Sequence, residues 1–259
     1  MHTQEFSEFV SNTTKSSGEI IKDYFKSGVG VDWKADNTPV TKADKESEHC
    51  IRNAIKRDFP EHGIIGEEHG NDNEDAEYTW VIDPIDGTKS FIAGTPLFGT
   101  LIALLKNGRP THGAIHFPIM ENLLIGDGKN AYLNGASVRV SSETDLSKAT
   151  VITTDYKDYA KYKKPEGLEM LLSKCGMFRT WGDCFGYYLV ATGKAQIMID
   201  PELSLWDKMA LIPIIQGAGG EITDFFGKDP VTGDGIVASV KGLHSQVIEL
   251  LNSPYKKED

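Results

Sequence analysis

The run "WVIDPIDGTKSF", Trp80 to Phe91, constrains this chain more than any other stretch. It begins as an apolar strand, places Asp83 and Asp86 three positions apart, and turns through Gly87 into Thr88 and Lys89 before another apolar residue. Core packing requires no such arrangement. In an extended strand Asp83 points one way, and Pro84 restricts the backbone around it. Asp86-Gly87-Thr88 reads as the turn that starts a helix, so Asp86 can aim at the same spot as Asp83 while the first helical N–H groups face it too. Carboxylates beside unpaired N–H donors suit Mg²⁺ ions carrying a phosphate, with hard oxygen ligands for the metal and N–H groups for the phosphoryl oxygens. The plainer alternative keeps Asp83 as a strand-end residue and Asp86 as an N-cap.

Other carboxylates join this pattern. "GIIGEEHG" reads as a short buried strand that delivers Glu67 and Glu68 at its end, and Asp207 opens the helix after "SLW". Spacing alone does not show that residues so far apart converge. His62 and His69 flank the acidic pair, but isolated histidines near a turn are mostly structural, and no His/Cys cluster of the kind zinc favours is present.

With 259 residues and 39% hydrophobic content, the chain can bury a core as one large domain or as two smaller ones sharing a sheet. A net charge of -11 gives no basic footprint for nucleic acid and argues against an anionic membrane surface, but it leaves an anionic small substrate open, since bound metal inverts the local potential. The N-terminus has no basic segment followed by an apolar core, and no apolar run approaches the roughly 18 residues of a membrane span, so a cytoplasmic location is the expectation. Cys50, Cys175 and Cys184 make neither a disulfide framework nor a metal knuckle and read as reduced thiols.

The chain divides near residue 148. Phe6, Phe9, Val10, Ile20, Ile21, Tyr24 and Phe25 suit one face of a long first helix ended by "KSGVG". A hairpin tip is expected at Asp36-Asn37, then a second helix from about Ala43 to Asp58. Two apolar runs around Asn107-Gly108 signal a hairpin closed by Pro118, and short strands with glycine turns continue beyond it. Residues 1–148 thus read as two helices followed by a mostly antiparallel sheet that carries most of the candidate ligands. Residues 149–250 alternate strand and helix, with a kink or restart at Pro213, as an α/β half completing the site; 251–259 read as a flexible tail. "GAGG" at Gly217 to Gly220 follows a helix and precedes a strand, the reverse of a pyrophosphate loop, and reads as a helix terminator.

"GEE" at Gly66 to Glu68, "WVIDPIDGTKSF" and "LWD" ending at Asp207 resemble the three signature regions of the inositol monophosphatase family of metal-dependent phosphomonoesterases, over nearly the whole chain. The resemblance implies an α+β fold, a layered α-β-α-β-α sandwich of the sugar-phosphatase type. It implies two or three Mg²⁺ ions held by Glu67, Asp83, Asp86, Asp207 and the carbonyl of Ile85, with Glu68 nearer the edge of the cluster. Gly87 and Thr88 would offer N–H groups to phosphate, and Glu67, Asp44 and Thr88 would be the catalytic residues. An aspartate that takes the threonine proton leaves that oxygen free to accept one from the attacking water; the alternative makes Asp44 a plain first-turn helix residue. The expected reaction is direct attack of metal-activated water on a small-molecule phosphomonoester, without a covalent intermediate. A homodimer is the quaternary expectation.

"DGTKSFIAGTPLFGT" and "FRTWGDCFGYYLVATG" look most like the histidinol-phosphatase branch. Asp183 stands where inositol-type relatives commonly carry serine, and Asp200 where they carry glutamate. Two aspartates near a leaving group suit a cationic amino alcohol, so L-histidinol phosphate is the expected substrate, with inositol phosphate or a wider polyol range as the alternative. A non-catalytic cation-binding scaffold is the remaining rival. Asp183 as a helix cap and Asp200 as a strand-end residue stay open. Arg179 is expected to bridge Asp183 or Asp200, to lie at a subunit interface, or simply to be solvated, and Lys89 to balance the acidic cluster from outside the phosphate site. In the aromatic run Trp181, Phe185, Tyr187 and Tyr188 the helical members read as core, with a ligand platform as the alternative.

Overall fold

The computed structural model describes residues 1–28, 31–33, 39–163 and 165–253, with backbone alone at 31–33, 39, 40 and 158. Helices α1 (Thr3–Ser27) and α2 (Lys42–Asp58) are joined through a ribbon of β1 (Val31–Trp33) and β2 (Pro39–Thr41). The hairpin tip expected at Asp36-Asn37 lies outside the described residues. An eight-stranded sheet follows, made of β3 (Gly63–Gly66), β4 (Gly70–Asp72), β5 (Tyr78–Asp86), β6 (Gly99–Lys106), β7 (Arg109–Phe117), β8 (Asn122–Gly126), β9 (Ala131–Leu133) and β10 (Ala136–Ser137). Its order is β10-β9-β8-β7-β6-β5-β3-β4, antiparallel throughout except for β3 beside β5. The β6–β7 hairpin turns at Asn107-Gly108, both with positive φ (49° and 74°), which is what a two-residue turn of matching twist demands. The short α3 (Thr88–Ile92) leaves the end of β5.

The second half runs β11 (Thr150–Thr153), α4 (Tyr156–Tyr162), α5 (Pro165–Leu172), β12 (Met177–Arg179), α6 (Asp183–Ala191), β13 (Ile197–Asp200), α7 (Leu205–Lys208), α8 (Leu211–Gly217), β14 (Glu221–Thr223), β15 (Ile236–Ser239) and α9 (Lys241–Asn252). Its five strands are ordered β12-β11-β13-β15-β14, parallel on the β12-β11-β13 side and antiparallel beyond. The sequence reading did not anticipate β4, α4, β15 or α9. The last of these continues to Asn252, and residues 254–259 lie outside the described ones.

Five layers stack through three main cores. On one face of the large sheet Trp80, Ile82, Ile102 and Leu104 meet Phe6, Phe9 and Val10 of α1 and Ile51 and Ile55 of α2. Its other face presents Val81, Leu101, Ala103 and Ile115 to α6 and α8, which in turn cover Ile152, Met198 and Ala238 of the smaller sheet. The far side of that sheet packs on α4, α5 and α9 through Tyr159, Leu168, Leu171, Leu243 and Val247. The fold is thus the α-β-α-β-α sandwich expected. Alternation along β5 places Trp80 and Ile82 outward and Val81 toward the middle layer, and Asp83 follows Val81.

One expectation needs correction. The helix after "SLW" does not break at Pro213: α7 ends at Lys208 and α8 starts at Leu211, so Met209 and Ala210 make the break. Pro213 sits in the first turn of α8, where its missing N–H leaves no helical bond unmade. The break follows from packing. A Cβ at Gly113 would lie 2.0 Å from the Ala210 carbonyl, and one at Gly126 2.4 Å from Ile214 Cα, so two strand glycines let this segment settle directly on β7 and β8. Among the described residues no helix is long and apolar enough to cross a membrane.

Candidate metal and phosphate site

Residues three apart on a regular strand face opposite sides of the sheet. Along β5, Asp83 pairs with Leu101 but Asp86 with Gly99, so three residues span what two span on β6. This bulge, at Pro84 and Ile85, restores Asp86 to the face of Asp83. It is held by the Ile85 amide donating to Asp83 Oδ1 (3.0 Å) and by Thr100 Oγ1 donating to the Pro84 carbonyl (2.8 Å). Ile85 itself points the other way, into a small core with Ile21, Ala43, Phe91 and Phe98. Gly87 then takes φ 89°, a left-handed turn that launches α3.

Asp207 arrives from the opposite half of the molecule. It is the third residue of α7, and its Oδ2 accepts the amide of the cap residue Ser204 (2.8 Å) while the Ser204 side chain caps the amide of Asp207. Ligand atoms of Asp83, Asp86 and Asp207 come within 4.8 Å of one another. Asp83 is 2% exposed, and burial together with the charges of Glu67, Asp86, Asp207 and Asp44 drives its carboxyl well above the usual range. Burial and the charges of Asp183 and Asp207 do the same to Asp86, although the Cys184 amide donates to its Oδ2. Like charges packed this closely in a buried place call for a divalent cation, and the all-oxygen donor set suits a hard one.

Two adjoining cavities of about 280 and 290 Å³ share Asp86, Lys89, Thr154, Asp155, Asp183 and Asp207. Glu67, Asp83, Ile85, Gly87 and Thr88 line the first; Tyr187, Asp200, Glu202 and Leu203 line the second. The metal ligands, the phosphate-facing turn and the substrate aspartates expected from sequence therefore border one connected space. Lys89 lines both cavities, and its charge pulls down the Asp183 carboxyl, which burial, Asp200 and Asp207 together push up to about 7.

The structure gives several expected residues different partners. Asp44 is the third residue of α2 and closes a capping box: its Oδ2 accepts the Thr41 amide (2.8 Å) and the Thr41 hydroxyl (2.6 Å). Burial raises its carboxyl to about 6, with a smaller push from Glu68. The Thr88 hydroxyl donates to the Ile85 carbonyl (3.0 Å), so the expected bond from Thr88 to Asp44 is not the one formed here. Asp183 is the first residue of α6, at φ 51°, and Gly182 is its cap, so the helix-cap alternative for Asp183 falls. Its amide donates to Thr154 Oγ1 (2.8 Å).

Asp200, 2% exposed, accepts from the Tyr187 hydroxyl (3.0 Å) and the Thr154 amide (3.3 Å); burial outweighs both and sets its carboxyl at about 6. Asp200 is thus tied to the protein on both oxygens, and Asp183 is the member of the pair whose carboxylate faces both cavities. Arg179 corrects the reading that it bridges either aspartate: it is exposed, donates to the Phe178 carbonyl (2.7 Å) and lies over the Trp181 ring. Trp181 is exposed as well, whereas Tyr187 is core and Phe185 and Tyr188 pack on Phe117. The Cys184 thiol, buried beside Asp86, is pushed far up and stays protonated. His62 accepts from Trp80 Nε1 and His69 meets the Lys45 carbonyl, both structural.

Sequence reasoning missed two supports of the site. Thr154 joins Asp183 to Asp200, and Glu48 of α2 lies behind the Glu67–Glu68 turn. Glu48 looks like any polar helix residue until the turn folds over it.

The family model for inositol monophosphatases matches residues 2–254. This chain belongs to the inositol monophosphatase family. Among its relatives are a histidinol-phosphatase of Chlorobaculum parvum, 36% identical over 92% of this chain and 93% of its own, and the chloroplastic bifunctional phosphatase IMPL2 of Arabidopsis thaliana, 41% identical over 82% of this chain and 62% of its own. An inositol monophosphatase from Zymomonas mobilis, 30% identical, superposes with a TM-score of 0.87 over 98% of this chain and 100% of that one. As a member of the inositol monophosphatase family, the protein is a phosphatase, and its carboxylate cluster at the expected strand end is a candidate divalent-metal active site.

Proposed function

We propose that this family member hydrolyses small hydroxylated phosphomonoesters over a broad range, inositol and other polyol phosphates included, with Mg²⁺ as its working metal. The observation that carries the reading is the join of the two cavities at Asp86, Asp183 and Asp207, which sets a polar chamber for the alcohol beside the cluster that faces the phosphate. Glu67, Asp83, Asp86, Asp207 and the Ile85 carbonyl would hold the metal. When bound there, divalent cations supply an activated water and offset charge on the leaving oxygen. Gly87 and Thr88 orient the phosphoryl group through their amides. In the reaction Thr88 turns its hydroxyl proton from Ile85 toward Asp44, and its freed oxygen accepts a proton from the attacking water.

A narrower reading, L-histidinol phosphate as the preferred ester, is favoured by Asp183. A buried carboxyl held near 7 gains most from a cationic partner, which would draw it down and donate N–H bonds to it. Two of the named relatives point in different directions, one a histidinol-phosphatase and one an inositol monophosphatase. Rates on histidinol phosphate and inositol 1-phosphate under saturating Mg²⁺ separate the two. Values of kcat/KM within about tenfold support the broad reading. A preference for histidinol phosphate beyond about 100-fold, reduced by about 10- to 100-fold in Asp183→Ser, supports the narrow one. Absence of turnover on both would overturn both readings.

A further inference from the structure

A buried carboxylate behind the Glu67 turn has no part in the reaction as described. Glu48 is fully buried on α2, with Arg52 one helical turn along. Its Oε2 accepts the Glu68 amide at 2.7 Å and its Oε1 the His69 amide at 3.1 Å. Arg52 Nη1 sits 3.3 Å from Glu48 Oε1 and donates to the Gly70 carbonyl at 2.8 Å. The turn between β3 and β4 therefore hangs from α2 by four bonds, the fourth between His69 Nε2 and the Lys45 carbonyl (2.9 Å), and Glu67 stands just ahead of the first. A Cβ added to Gly66 would lie 2.2 Å from Glu48 Oε1, so the backbone on the other side of Glu67 rests directly on the same carboxylate.

We propose that Glu48 is a positioning residue for the metal centre, fixing the direction in which Glu67 leaves its turn. The inference rests on reading the carboxylate cluster as a divalent-metal site. Both oxygens of Glu48 act as acceptors for turn amides, a task that glutamine meets with one oxygen only, its amide group opposing the second N–H. β3 ends at Gly66, the Glu67 amide still donates to the Ile82 carbonyl of β5 (3.2 Å), and Glu48 takes over the backbone from the next residue, Glu68. A loosened turn leaves every ligand present and misdirects one of them.

The test compares metal-stripped wild type with Glu48→Gln, Gly66→Ala and Glu48→Ala, alone and combined, by Mn²⁺ titration calorimetry and by phosphatase rate against Mg²⁺ concentration. Glu48→Gln is expected to weaken Mn²⁺ binding by about 10- to 100-fold and to raise the Mg²⁺ needed for half-maximal rate by a similar factor, with kcat at saturating metal within about threefold of wild type. Gly66→Ala reaches the same outcome from the other side of the contact. Glu48→Ala removes the two nearest atoms of that clash and leaves only Arg52 Nη1 (2.9 Å), the movable end of a long side chain, so adding Gly66→Ala to it costs much less Mn²⁺ affinity than Gly66→Ala alone. His244→Ala breaks buried bonds to Thr223 and Ser239 away from the site; it lowers the melting temperature and leaves Mn²⁺ affinity alone. Glu48→Gln or Gly66→Ala that melts lower yet binds Mn²⁺ like wild type would overturn the proposal. Failure of the underlying reading looks different, since wild type itself would then show no saturable Mn²⁺ binding.

Discussion

At Asp83 the backbone and the charge pull in opposite directions. The bulge in β5 and the Ile85 amide hold the carboxylate toward Asp86 and Asp207, while burial and those neighbours resist its ionisation. Replacing it by asparagine removes one ligand and one of the repelling charges. Asp83→Asn is therefore expected to lose more than about 100-fold in phosphatase rate, yet to melt no lower than wild type without metal, and to lose most of the rise in melting temperature that Mg²⁺ gives wild type. Differential scanning fluorimetry with and without Mg²⁺ checks it, and a mutant that keeps the full Mg²⁺ shift removes Asp83 from the ligand set. Individual carboxylates were legible because their residue types and strand-end positions are written in the chain. Their rotamers were legible too, though unread: Thr41-x-x-Asp44 and Ser204-x-x-Asp207 are both capping boxes, a local spacing that fixes where each carboxylate sits. Glu48 had no such signal, since its partners are amides of a turn twenty residues away.

Elements meet the site through close approaches that no window of sequence contains. Asp207 is one residue from the C-terminal end of α7, and the break at Met209-Ala210 rests on Gly113 of β7. Proline was the visible cue for a helix break, but the break came where a distant glycine left room for backbone. Gly113→Ala places a methyl group where the Ala210 carbonyl lies and must push α7 off the sheet, at a cost of about 1–3 kcal/mol, as overpacking typically brings. The site should register the same displacement: Mg²⁺ required for half-maximal rate rises several-fold, alongside a fall in melting temperature. A variant that loses stability with its metal requirement unmoved would mean that α7 is anchored by its cap and by the bond from Lys208 Nζ to the Gly233 carbonyl rather than by this contact. The same logic explains what was read well. The β6–β7 hairpin and the end of α1 depend on turn residues adjacent in the chain, whereas β15 is a four-residue strand whose identity comes from its pairing with β13; α9 was legible in Leu243, Val247 and Leu251, four residues apart on one face, and went unread.

For the whole molecule, the layered sandwich brings carboxylates from both halves to one buried junction, and this couples its stability to pH and metal together. Layer order followed from two helices, an antiparallel run and an α/β half, but the convergence of Asp83 and Asp207 required the halves to be assembled. Asp183 at about 7, and Asp200 and Asp44 at about 6, hold protons in the folded protein that the unfolded chain, with aspartates at 3.8, has already released. Between those values the native state binds more protons, so their contribution is favourable at low pH and is lost as pH rises through about 6 to 7. Buried histidines act with the opposite sign. His116, lowered to about 4 by burial, contributes stability above its unfolded value of 6.5 and loses it as pH falls toward 4. A simple pH scan mixes the two, but the shift produced by metal isolates the acids, because cations and protons compete for the cluster and His116 borders neither cavity. For each proton displaced, apparent Mg²⁺ affinity should rise about tenfold per pH unit while pH stays below the folded pKa values. At fixed Mg²⁺ above the dissociation constant, tenfold is about 1.4 kcal/mol of added stability, or about 3–5 °C for a chain of this size. The rise in melting temperature on adding Mg²⁺ should therefore be larger at pH 8 than at pH 6. Equal rises at the two pH values would mean that metal displaces no proton, and that the carboxylates at the junction are ionised before any cation arrives.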